Sequence, residues 1–96
     1  MLTLIAEDFI EADKVELVLP LYKELVEKTR NESGCILYEL HQDIKNIGHF
    51  IFIEKWLDRN ALDLHVESEH FQTLVPQIDQ YKIKDGKFTH MHQLDI

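Results

Sequence analysis

One cysteine, two prolines and three glycines are all that 96 residues hold of those types. Cys35 alone cannot close a disulfide within the chain, nor can it build a zinc site from several cysteines. So little glycine and proline leaves no material for long linkers or low-complexity tracts, and no internal repeat stands out. No apolar run approaches the roughly 20 residues that a membrane-crossing helix needs. Basic residues are scarce as well, 10 against 18 acidic ones, for a formal net charge of −8. That field repels phosphate, so nucleic acids and anionic membrane surfaces are poor partners. The first ten residues lack the basic start and small-residue cleavage site of a secretory signal, and the expected setting is the cytoplasm.

What remains suits one domain over residues 1–96, large enough for a single core. Met1 to Ile10 alternates as a first strand, and both of its faces look largely covered. From Asp13 to Arg30 the apolar residues Val15, Val18, Leu19, Tyr22, Leu25 and Val26 fall at the spacing of an amphipathic helix. Asp13 is its expected N-cap, and Pro20 predicts a kink or a start nearer Leu17. Gly34, able to adopt a left-handed conformation, closes the segment. Cys35 to Asp43 forms a second strand, joined through a turn at Asn46 to Gly48 to a third strand ending at Trp56, as an antiparallel hairpin. Asp58 caps a helix to about Glu67, and Ser68 caps another that runs on through Ile78 with a bend at Pro76. Asp85-Gly86 is a turn, and Lys87 to Leu94 alternates as a last strand. The order strand, helix, strand, strand, helix, strand predicts an α+β, ferredoxin-like antiparallel sheet with its helices on one face. The second strand has no cleanly polar side, which predicts a homodimer that covers the other face.

The chemistry concentrates between His49 and Phe71, HFIFIEKWLDRNALDLHVESEHF. Period-two spacing puts Glu54 on one face with Phe50, Phe52 and Trp56. A carboxylate on so apolar a face costs several kcal/mol unless it is paired, hydrogen-bonded or protonated. His65 and His70 follow, two groups whose ordinary pKa of about 6.5 suits proton transfer at neutral pH. Five positions separate them, about 140° around one continuous helix, so they share a face only if the helix breaks at Ser68. His90 and His92 share a face of the last strand, but no third ligand accompanies them, so no metal site is expected.

The segments SGCILYELHQD, FIFIEKW and ALDLHVESEHF resemble the antibiotic biosynthesis monooxygenase (ABM) domain, in particular its small bacterial quinol monooxygenase-like members. Glu54, Trp56, His65, His70 and Phe71 match the family motif. The resemblance implies a dimeric α+β barrel with a pocket between each subunit's own sheet and helices. It also implies oxidation of a small aromatic or quinol-like compound by O2 with no metal, flavin or other cofactor. Haem-degrading members carry an asparagine early in the first strand, and Met1 to Ile10 has none. On the implied chemistry His65 is the base, and Glu54 accepts its other ring N–H. Trp56, Phe50 and Phe52 wall the substrate, Phe71 joins them, and His70 lines the mouth. The rival readings are an isomerase or lyase acting on a small oxygenated, sugar-derived metabolite, and a ligand-binding dimer without catalysis.

Overall fold

The structure is a computed structural model describing residues 1–96. Strand β1 (Leu2–Phe9) leads through a 3-10 turn (Ala12–Lys14) into helix α1 (Val15–Thr29). Strands β2 (Cys35–Asp43) and β3 (Asn46–Trp56) follow, then helices α2 (Arg59–Glu67) and α3 (Glu69–Asp79), and strand β4 (Lys87–Met91). The sheet order is β2-β3-β1-β4, every pair antiparallel, which is the ferredoxin-like arrangement. Pairing aligns Leu4 with Glu54 and Asp8 with Phe50, so the inward row of β1 lies beside the inward row of β3.

Alternation decides which side chains face the helices. Leu4, Ala6 and Asp8 of β1 are buried, as are Phe50, Phe52, Glu54 and Trp56 of β3. Val15, Val18, Tyr22, Leu25 and Thr29 of α1 close on them at helical spacing. The other face carries half-buried Ile5, Ile51 and Ile53.

Several local expectations change. Helix α1 runs unbroken through Pro20, because that residue lies on the exposed side, where water can satisfy the carbonyl it leaves unpaired. Asp13 sits inside the 3-10 turn and caps nothing. The hairpin turn is tighter than expected: β3 begins at Asn46, and only Ile44 and Lys45 connect the strands. The last strand stops at Met91 instead of Leu94. Gly34 is not left-handed. It is small for a different reason, since a Cβ there would stand 2.4 Å from the Cβ of Ala61. Both helix caps hold: Asp58 accepts from the Ala61 N–H at 2.8 Å, and Ser68 accepts from the Phe71 N–H at 3.2 Å.

Candidate active site

A cavity of about 180 Å³ opens between sheet and helices. Leu4, Ala6, Phe52 and Glu54 supply its floor from the sheet, while Leu62, His65, Phe71 and Val75 cover it from α2 and α3.

Glu54 is 3% exposed, and its one hydrogen bond comes from the Trp56 indole N–H to Oε1 at 2.9 Å. Oε2 has no protein partner. Burial pushes the carboxyl up to about 7, although the indole bond favours the charged form. Near neutral pH this side chain therefore exists as both acid and carboxylate.

His65 is 2% exposed and carries its own partner. Its Nδ1 lies 2.8 Å from Glu32 Oε2. Burial holds the imidazole below its ordinary value, and the Glu32 bond only partly opposes this. A neutral ring facing a carboxylate at Nδ1 must carry its proton there, leaving the lone pair on Nε2, which has no protein partner. Glu54 is thus not the residue that fixes this tautomer. Its Oε1 is taken by Trp56, two residues along the same strand face, whereas the Nδ1 edge of His65 turns toward the loop after α1 that presents Glu32.

The histidines do converge. Ser68 interrupts the helix, accepting at the start of α3 and donating its hydroxyl to the His65 carbonyl at 2.6 Å. His70 Nε2 then reaches the same Glu32 oxygen at 2.7 Å. It faces away from the cavity and does not line the mouth. Nor does Trp56 form a wall: it is 0% exposed and sits behind the cavity, its ring 4.6 Å from that of His65. Phe50 is likewise core, packed on Tyr22. Phe52 and Phe71 do line the cavity, and Phe71 meets His65 edge-on at 5.1 Å. Glu32, His65 and His70 offer ligand atoms within 4.8 Å of one another, a donor set a divalent transition metal accepts. In this structure hydrogen bonds already link those atoms to one another. His90 lines the cavity, and His92 lies exposed beyond β4.

The opposite end of the cavity is polar too. Asp8, 8% exposed, accepts from the Tyr22 hydroxyl at 2.7 Å and pairs with Lys82 Nζ at 3.1 Å. Lys82 also pairs with Asp79 at 2.7 Å. Burial works against the ammonium, but the bonds to Asp79 and Asp8 outweigh it and raise its pKa. Burial, with Asp8 beside it, pushes the Tyr22 phenol far above its usual range, so it stays a donor. Sequence reasoning missed Glu32, Asp8, Tyr22 and Lys82 as site residues. The available signal was Asp8, an acid in phase with Leu4 and Ala6.

The sequence model of the antibiotic biosynthesis monooxygenase family matches residues 1–77. The chain belongs to that family. Among similar proteins, YcnE of Bacillus subtilis, named as a candidate monooxygenase, is 33% identical over 75 residues, covering 78% of this chain and 79% of its own. The uncharacterized protein sll1783 of Synechocystis is 35% identical over 66 residues, 69% of this chain, and that match spans only 45% of the relative's length. A crystal structure described as an antibiotic biosynthesis monooxygenase is 51% identical and superposes with a TM-score of 0.97, covering 98% of this chain and 99% of the other. The family match stops before Lys82 and β4, so those parts of the cavity rest on this chain's own geometry.

Proposed function

We propose that this ABM protein oxidises a small, single-ring quinol with O2, using His65 as the base. The observation that carries the reading is the His65–Glu32 bond, which leaves an unprotonated Nε2 on a group that lines a mainly apolar cavity. Nε2 takes the proton of a substrate hydroxyl, and the resulting anion is electron-rich enough to reduce O2. A carbon–oxygen bond forms at the ring, and the proton held on His65 Nε2 passes to the outer oxygen, which gives a hydroperoxide and restores the base. Its O–O bond then breaks as the ring carbon loses its hydrogen, so one oxygen stays as a new carbonyl and the other leaves as water. Glu54, poised near 7, supplies the proton to the departing oxygen and regains one from the ring carbon.

Size supports the substrate class. About 180 Å³ is close to a dry cavity of about 150 Å³ known to hold benzene in another protein, and well below the roughly 300–1,000 Å³ of sites for drug-sized ligands. A single ring fits that space, and a fused polyketide does not. The outer sheet face, with Ile5, Ile51 and Ile53 half-buried in the lone chain, supports a homodimer formed through that face.

Oxygen consumption measured with a panel of hydroquinones tests the reading. Uptake matching the appearance of a hydroxylated quinone is expected, with the His65→Ala variant inactive. Conversion of an oxygenated metabolite without uptake would support the isomerase or lyase reading instead. Sedimentation of the purified chain as a monomer at micromolar concentration would remove the dimer.

A further inference from the structure

The polar end opposite Glu54 and His65 has no task in the reaction above. Along β1, Asp8 stands four residues beyond Leu4, which is level with Glu54, so the two polar rows lie about 13 Å apart at roughly 3.3 Å per residue. Ala6 and Phe52 make the floor between them apolar. Lys82 is held over the far row by its backbone as well as its side chain: it is bridged to Ile10, and Ile83 donates to the Phe9 carbonyl at 2.9 Å. Its ammonium carries three donors, and only two are engaged, by Asp8 and Asp79. The third has no protein partner, and Lys82 is among the residues that line the cavity.

We infer that Lys82, oriented by Asp8 and Asp79, is a second recognition subsite that takes the distal oxygen of a ring oxygenated at opposite (para) positions. Which hydroxyl reacts rests on the oxygenase reading; the ligand class does not. Two para oxygens stand roughly 5.5 Å apart, and one hydrogen bond of about 2.8 Å at each end extends the reach to about 11 Å. That comes within about 2 Å of the spacing between the rows, a gap that side chains leaning inward can close. An ortho pair or a lone hydroxyl cannot reach both ends. Asp8 and Asp79 supply the countercharge, which keeps the ammonium charged inside the cavity; Tyr22 holds the other oxygen of Asp8.

Calorimetric titration without oxygen tests this, using 1,4-dihydroxybenzene, 1,2-dihydroxybenzene and phenol as probes. Wild type should bind the 1,4 compound about tenfold or more tighter than the other two, the scale of one hydrogen bond to a charged group. Lys82→Met should erase that preference by weakening the 1,4 compound alone, and Lys82→Arg should keep most of it. Lys82→Met leaves the Asp8 charge short of a partner, so the Asp8→Asn/Lys82→Met double variant serves where the single one unfolds. Equal affinities in wild type, no binding of any probe, or an equal loss for all three in Lys82→Met overturns the subsite. Oxygen uptake on the same samples separates the two ideas. Selective binding with no uptake removes the oxygenase and leaves the subsite standing; uptake without a Lys82-dependent preference does the reverse.

Discussion

Glu32 and His65, 33 positions apart in sequence, share a 2.8 Å hydrogen bond that sets which nitrogen of a buried imidazole holds its proton. The bond gives His65 its direction as a base, and the same carboxylate oxygen ties in His70 at 2.7 Å. Glu32 itself does not line the cavity, so its role in the proposed reaction is to position His65.

Glu32→Gln keeps the shape of the site while removing the charge that favours Nδ1–H. Turnover of a quinol should fall by about 10²-fold, at the lower end of what a general base contributes, with little change in KM. Steady-state oxygen uptake checks this, and a KM effect without a kcat effect would place Glu32 in ligand binding instead.

Stability should depend on pH through two groups with opposite signs. His65 has a depressed pKa in the folded chain, so below its unfolded value of about 6.5 the unfolded state binds more protons and stability declines as pH falls. Glu54 has a raised pKa of about 7 against 4.5, so the folded state holds the extra proton between those values and its contribution is lost as pH rises through 7. Glu54→Gln removes the second effect. It should gain up to about 3 kcal/mol relative to wild type at pH 8, because each tenfold change in proton affinity is worth about 1.36 kcal/mol, and little at pH 5. Urea unfolding at the two pH values measures the difference.

Trp56→Phe deletes the indole N–H that bonds Glu54 Oε1. That bond favours the carboxylate, so the Glu54 pKa should move further upward, visible as growth of the protonated carboxyl band in the infrared spectrum at pH 7. No change in that band would mean that the indole leaves the carboxyl's ionisation unaffected.

Gly34→Ala places a methyl group 2.4 Å from the Ala61 Cβ, where α2 packs on the loop that bears Glu32. Overpacking of this kind costs about 1–3 kcal/mol. Chemical denaturation should show that loss, and any displacement of the loop should also lower turnover through the Glu32–His65 bond.

The element order and most boundaries were readable because period-two and period-3.6 patterns in the chain are strong and unbroken, and because Asp58 and Ser68 are good N-caps. The ferredoxin-like topology followed from that order. Within the site, Glu54, His65, Phe52 and Phe71 were legible as cavity residues, since periodicity states which face a side chain takes. The partner of Glu54 was legible in principle as well: Trp56 lies two residues on, on the same face. Glu32 was not, because it sits in a loop with no period, and its partners His65 and His70 lie 33 and 38 positions away in the sequence. Lys82 escaped for the same reason, lying in the patternless stretch between α3 and the Asp85-Gly86 turn. Trp56, Phe50 and His70 show the converse limit: a pattern assigns a face, but it does not say whether a cavity opens there.

The protonation of His65 tests the central claim most directly, read from long-range nitrogen–proton NMR correlations of the purified chain at pH 7.5. A ring protonated at Nδ1 and bare at Nε2, with that preference lost in Glu32→Gln, is the predicted spectrum. A proton found on Nε2, or a tautomer indifferent to Glu32, would contradict the assignment of His65 as a base directed into the cavity.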